Sequence, residues 1–430
     1  MKEMKWAAVA VVCIMIGMNF SCSNDMYNQE KAQEHYDSVS PVDSVDANHT
    51  WVLTKSRALI VEAPEGGNAE RVKILTANPR ETGKAEVVGD AWISDGEKIT
   101  MNVTCPSTVT TLYAALVDKE GKYSITPFDV ESESNIGFSN LIVDHEKLSY
   151  EPQPQQYTYC FEETYPLPGD FDYNDVVMRI SLERSGEREV RIHVQLAAVG
   201  ASNQVAGALR LAGFKYSDIE SVKTVDSLSF NTTNGEDFPK DMRTVVSTKE
   251  FYNSFLSQGR NNEAVINLFG DAHWATGDLL EVNFGIMKRK KYNVSKRVSD
   301  DNQQFVPRTV TYIVTFKSAS GLNSLSMDQL DPFIMNMYNG GVFEAHIFPY
   351  RDANILNAFS PSSIKTLPWA LCIPKSDFRW PIEGVNIGFI MTEIKTFGAY
   401  QTYRHSFGEW AMDRTRSIDW YEYPTENQVF

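Results

Sequence analysis

FEETYPLPGDFDYNDVVMRISLERSGEREVRIHVQLAAVG, Phe161 to Gly200, runs an acidic loop straight into two long strand-like segments. VVMRISLER and REVRIHVQLAAVG alternate apolar and polar residues at period two, and Ser185 to Glu187 between them reads as a hairpin turn. Arg179, Arg188 and Arg191 fall between apolar positions, so one face of the hairpin is expected to be wet and the other buried. VINLF, LLEVNFGIM, RTVTYIVTFK, GVFEAHIFPY and VNIGFIM repeat this character further along. A short helix is expected near Thr248 to Leu256. Residues 149–430 therefore read as a mostly-β, sandwich-like domain with long loops.

Working outward, RALIVEA, RVKILTA, KITMNVT, TLYAALVD and KYSITPFDV are separated by EGG, NPRETG, SDGE and DKEG. Short strands at this spacing predict an N-terminal β-sandwich over 51–130, with 131–148 as a connector. The fold class is all-β. The chain has 40 Lys+Arg against 56 Asp+Glu, a net charge of −16, which excludes a broad phosphate-neutralising face and with it nucleic acid as a partner. The basic stretch MKRKKYNVSKR, Met287 to Arg297, reads as a solvated hairpin tip. Cys105, Cys160 and Cys372 are far apart in sequence and embedded in apolar runs, which predicts buried free thiols.

The chain begins MKEMK, followed by an apolar run from Trp6 to Met18 that is too short to span a bilayer. This is the pattern of a secretory signal over 1–21. In NFSC, Cys22 resembles the lipid-attachment residue of bacterial lipoproteins, although Asn19 stands where such sequences carry an apolar residue. The resemblance implies an acyl anchor at Cys22 and an outer-membrane lipoprotein, periplasmic or surface-exposed. Residues 22–50 are polar and aperiodic, as expected of a flexible tether. Within them Asp-Ser-Val occurs twice and resembles the O-glycosylation signal of Bacteroidetes, with Ser38 and Ser44 as candidates.

Asp170, Asp172, Asn174 and Asp175 crowd into six positions beside a strand that must be buried. Like charges this close repel unless a positive charge sits among them. The oxygen side chains at 170, 172 and 174 alternate with Phe171 and Tyr173, so an extended loop would seat the aromatics on the core and gather the oxygens outside it. That set suits Ca²⁺, a hard cation taking six to eight oxygens, with Asp175, Glu162 or Glu163 completing the shell. Pro166, Pro168 and Gly169 would turn the chain back toward those glutamates. It is not an EF-hand: Asp175 stands where that loop needs Gly, Ser181 stands at the bidentate Glu position, and a strand follows. The metal-free alternative is a turn closed by Asx-type hydrogen bonds to the backbone.

FEETYPLPGDFDYNDVVMRI resembles the FED…GDYDYNDVV signature of LruC-type domains, found in lipoproteins of Bacteroidetes and some other bacteria. HVQLAAVGASNQVAGALRLAG, EAVINLFGDAHW, LDPFIMNMYNGGVFEAHIFPY, LPWALCIPKSDFRWPIEGVNI and SIDWY continue the likeness from about Tyr150 to the C-terminus. The resemblance implies a domain with no established enzymatic activity on an anchored lipoprotein. It carries over the acidic positions Glu162, Asp170, Asp172, Asn174 and Asp175. Glu163 stands where the family has Asp, one methylene longer.

A glycosidase carboxylate pair needs two separated electrostatic environments, which a single cluster does not provide. His273 near Asp271, and His346 two residues from Glu344, are candidate metal or catalytic positions, weighed against satisfied structural histidines. GxSxG, HExxH and phosphate-loop motifs are absent. The expectation is a non-enzymatic, lipid-anchored envelope protein with a structural Ca²⁺ and an unknown protein or glycan ligand. The alternatives are a carbohydrate- or matrix-binding module, with Trp369, Trp380, Trp420 and Tyr421 as a stacking platform, and a fimbrial or surface-assembly subunit joined through sheet edges.

Overall fold

The structure, a computed structural model, describes residues 29–138, 145–233, 236–237, 245, 251, 254–276, 281–283, 286–297, 302–338, 341–347, 350, 366–388, 393–397 and 400–430. Strands dominate, and the α-helices whose bounds lie among the described residues are Gln29–Val39, Ala272–Ala275 and Phe407–Met412, while Phe251, within the stretch expected to hold a short helix, is also helical. The all-β expectation holds. No helix among the described residues is long and apolar enough to cross a membrane. The signal and Cys22 lie outside the described residues, as does most of 248–256; its last residue, Leu256, opens a short strand.

The N-terminal sandwich faces a three-stranded sheet, Lys98–Pro106, Thr54–Glu62 and Asn135–Gly137, against a six-stranded one centred on Thr111–Asp118 and Ala69–Leu75. Alternate residues of these strands, among them Leu59, Val61, Val72, Ile74, Met101 and Val103, fill the space between. The expected connector is largely part of this sandwich. Asn135–Gly137 pairs in parallel with Thr54–Glu62, burying Ile136 and Phe138, and Glu146–Lys147 extends the other sheet. Two apolar residues in an otherwise polar run gave too short a pattern to read as a strand.

The larger body stacks a six-stranded sheet on a five-stranded one. In the first, Gln156–Phe161, Val176–Gly186, Glu189–Ala198 and Arg308–Phe316 are successive antiparallel neighbours. The second is built around Ala206–Lys215 and Leu330–Tyr338. Between them lie Tyr157, Tyr159, Val176, Met178, Val194, Leu209, Ile266 and Ile334. A third layer covers the other face of the first sheet: Val177, Ala197 and Leu371 meet Phe407, Trp410, Trp420 and Tyr421. That is why Val176, Val177 and Met178 are consecutive apolar residues, since strands covered on both sides lose alternation. The hairpin accordingly has no wet face at this end, and the Arg179 guanidinium lies 5.4 Å from the Trp380 ring centroid.

The third layer also takes in the N-terminal segment, which corrects the tether expectation for the described part of 22–50. Tyr36 packs edge-on to Trp369 at 5.6 Å and donates its hydroxyl proton to the Pro166 carbonyl. Val42, Trp51 and Leu53 are buried in the aromatic core, and Asp46 pairs with Arg414 at 2.9 Å. His49 stacks on Trp51 at 3.8 Å. Anchors this widely spaced have no period, so they were invisible as a pattern. Ser38 and Ser44 are both exposed.

Two further expectations change. Within the basic stretch, Tyr292, Asn293 and Val294 are buried, and Asn293 Nδ2 donates to the Ala197 carbonyl at 2.9 Å, so it is not simply a solvated tip. Trp369, Trp380, Trp420 and Tyr421 are at most 4% exposed, which leaves no stacking platform there. The thiols are free: Cys105 and Cys160 are buried, and Cys372 is half-buried.

Trp51→Ala should lower unfolding free energy by about 3–5 kcal/mol, the usual cost of truncating a buried tryptophan. Urea unfolding of the protein from Ser23 onward checks this, since a solvated tether residue would leave the midpoint in place.

Candidate metal centre in the acidic loop

The loop between Gln156–Phe161 and Val176–Gly186 is not extended. Phe171 and Tyr173 both adopt left-handed backbone, with φ of 58° and 51°. The alternation puts both rings into the aromatic core, as expected. It also turns both peptide N–H groups toward one carboxylate: Phe171 N donates to Glu162 Oε2 at 3.3 Å, and Tyr173 N to Oε1 at 2.7 Å. Backbone amides aimed together in this way form an anion-binding hollow. Gly169 closes against the same group. A Cβ there would stand 1.7 Å from Glu162 Oε2, so no other residue fits without moving the carboxylate.

Glu162 is fully buried, Asp172 is buried and Asp170 is exposed, and one oxygen from each lies within 4.8 Å of the others. The oxygens therefore gather inside the loop, with Asp170 alone at the surface, rather than outside it. Asp172 Oδ1 accepts from Asn174 N at 3.2 Å, and Oδ2 from Gly384 N at 2.7 Å. Each oxygen keeps a lone pair beyond these bonds. Three carboxylates at this spacing are the donor type that hard divalent cations take.

Of the other expected ligands, Glu163 and Asp175 accept from backbone amides, and Asn174 is held through its side-chain nitrogen. Glu163 accepts from Ser202 N at 2.7 Å and Asn203 N at 3.0 Å. Asp175 Oδ2 accepts from Glu163 N at 2.7 Å. Asn174 Nδ2 donates to the Pro381 carbonyl at 3.2 Å, while its Oδ1 is buried without a hydrogen-bond partner and faces Gly200. These three stitch the loop to its surroundings. They are not in the three-carboxylate group.

Sequence reasoning missed two participants. Glu383 is brought beside the cluster by the 381–387 turn, and its Oε2 is buried without a hydrogen-bond partner. Lys291 pairs with Glu383 Oε1. Burial works against the Lys291 charge, but Glu383, Asp175 and Asp172 together hold its pKa above the ordinary lysine value. Residues this distant in sequence have no local signature. The only hint of Lys291 was the apolar Tyr292 embedded in a basic run.

Burial, then the Asp172 and Asp170 charges, pushes Glu162 well above the usual carboxylate range. Asp172 is raised to about 7, by burial first and then by Asp170. Burial together with Glu162, Glu163 and Asp172 likewise raises Asp175 well above its ordinary value. His273 and His346 are not part of this group. His273 is buried, its Nδ1 is 2.9 Å from the Lys290 carbonyl, and burial lowers its pKa to about 3. His346 lies between Asp331 at 2.7 Å and Glu344 at 3.3 Å, and Arg210 joins Asp331 at 2.9 Å.

The chain belongs to the family described as a domain of unknown function, DUF4842, whose model matches residues 188–421, more than half of the chain. No curated protein matches it. A crystal structure of a Bacteroides ovatus protein proposed to be a lipoprotein is similar, at 14% identity and a TM-score of 0.49, over 84% of this chain and 99% of that one.

A carboxylate raised from 3.8 to about 7 binds more protons folded than unfolded between those values, so its contribution to stability falls as pH rises through that window. In chelator, the protein should melt at higher temperature at pH 5 than at pH 8, and Asp172→Asn should reduce the difference. Thermal melts across that range read it directly.

Proposed function

We propose that this DUF4842-family chain is an LruC-type, non-catalytic module of a cell-envelope lipoprotein, and that a structural Ca²⁺ completes its acidic loop. The observation that carries the metal reading is the convergence of Glu162, Asp170 and Asp172 within 4.8 Å, two of them buried. With Glu383 also adjoining, one half-buried Lys291 is too little positive charge for the group. Buried carboxylates without compensation take up protons instead of staying ionised. A divalent cation removes that pressure, and Glu162, Asp170 and Asp172 are the residues that would hold it. Glu383, whose Oε2 has no hydrogen-bond partner, lies near enough for its charge to act on Asp172.

A structural role fits better than a catalytic one. Every oxygen of Glu162 and Asp172 already accepts a backbone N–H that closes the loop or ties it to Gly384. Glycoside cleavage needs one carboxylate free to protonate a leaving group and another free to attack or to activate water. The envelope assignment rests on the sequence: the signal over 1–21 and Cys22 as the acylated residue. Exposed Ser38 and Ser44, on the segment that follows, are the O-glycosylation candidates.

For the protein from Ser23 onward, calcium at a hundredfold excess over Kd should stabilise by about 2.7 kcal/mol relative to chelator. Glu162→Gln and Asp172→Ala should each abolish that shift, whereas Asp377→Asn, on an exposed side chain, should leave it intact. Equal melting with and without calcium in the parent protein would remove the metal from this account. Separately, Cys22→Ala in the full-length chain should move the protein from the membrane fraction to the soluble fraction.

A further inference from the structure

The N-terminal sandwich meets the larger body at a cleft of about 480 Å³, open to solvent. Junctions between two packed bodies are favoured positions for ligand sites, and this volume lies within the usual range for them. One wall comes from the starts and turns of the sandwich strands, with Glu70, Trp92 and Lys119. The other comes from the 185–188 hairpin tip and the turn after Arg308–Phe316, with Glu187 and Asn323.

The walls are fixed to one another. Arg71 Nη2 donates to the Arg184 carbonyl at 2.6 Å across the junction and also pairs with Asp90. The Arg184 guanidinium donates to the Gly186 carbonyl at 2.9 Å and the Glu187 carbonyl at 2.7 Å, which locks the hairpin tip. Deeper in the junction Thr104 Oγ1 bonds Ser326 Oγ at 3.0 Å. The half-buried Trp92 indole is held by the Arg71 guanidinium, 5.1 Å from its ring centroid. The two walls are thus tied to one another without a ligand, which lowers the ordering cost of binding.

Its chemistry is specific. Glu70, Lys119 and Asn323 line it, and their side chains make no hydrogen bond or ion pair with any described residue. Polar groups so placed, acceptors and donors both, match a ligand dense in hydroxyl groups. The carboxylates Glu70, Glu97 and Glu187 outnumber the cations Lys119 and Arg184, so a phosphate or other anion is a poor fit. A purely apolar ligand would strand the polar lining. One aromatic ring among planar polar side chains suits the apolar face of a pyranose.

We infer that this cleft is a saccharide-binding site for neutral sugars, with Trp92 as the stacking surface and Glu70, Lys119 and Asn323 as hydroxyl partners. It moves the glycan reading away from the C-terminal aromatics, which are buried, and it does not depend on the cation. Saturation-transfer NMR and calorimetry on the protein from Ser23 onward, with maltotriose, chitotriose, mannotriose and xylotriose as probes, test it. At least one should bind with Kd of about 1 mM or tighter, and Trp92→Ala should weaken it by about tenfold or more. Trp92→Phe should retain most of the affinity, and Lys119→Ala, an exposed change that leaves the fold intact, should weaken binding several-fold. No binding by any of the four, or binding that neither Trp92→Ala nor Lys119→Ala changes in folded protein, overturns the site.

Discussion

Glu162 is a carboxylate with no exposed surface, just past the end of strand Gln156–Phe161 of the larger body and beneath a loop that presents two more carboxylates. Removing such a group from water costs several kcal/mol unless its charge is met by donors, a counter-charge or a proton. Much around it answers that cost. The left-handed residues Phe171 and Tyr173 aim their amides at it, Gly169 leaves room for it, and their rings enter the aromatic core. The loop is therefore a joint. Through Phe171 and Tyr173 it is continuous with the third layer, and through Asn336, which donates to the carbonyls of Glu163 and Tyr165, with the five-stranded sheet.

This joint also reaches the N-terminal segment. Tyr36 caps the Pro166 carbonyl, and Trp369, which Tyr36 and Tyr165 both meet edge-on, donates its indole N–H to the Leu167 carbonyl at 2.7 Å. Residues that were expected to float between membrane and domain are instead seated on the loop and on the aromatic core.

The parts legible in the sequence were those with a local pattern. Val176–Gly186 and Glu189–Ala198 show period two and a turn signal, so the central hairpin was readable. Acid crowding at 170–175 marks the loop, and the aromatics between the acids are core anchors, as their alternation with the acids implies. What failed had no local expression. Phe171 and Tyr173 lie in a backbone region that side chains other than Gly seldom adopt, so an extended loop was the natural reading, and it placed the oxygens outside. Asp175 and Glu163 carry the same functional group as the three clustered carboxylates, and only three-dimensional placement separates the clustered oxygens from those that accept backbone amides. Glu383 and Lys291 come from more than a hundred residues downstream. Trp92 is an ordinary strand-end residue until the larger body closes a cleft beside it.

The central claim is that a divalent cation shares the hollow with Glu162. Long-wavelength anomalous diffraction from crystals grown in calcium locates such an ion without reference to stability or activity. The account predicts one strong anomalous peak within coordination distance of Glu162, Asp170 and Asp172, lost in crystals of Glu162→Gln. Clean density with no peak there would contradict it, and the carboxylates would then be held by protons and backbone amides alone.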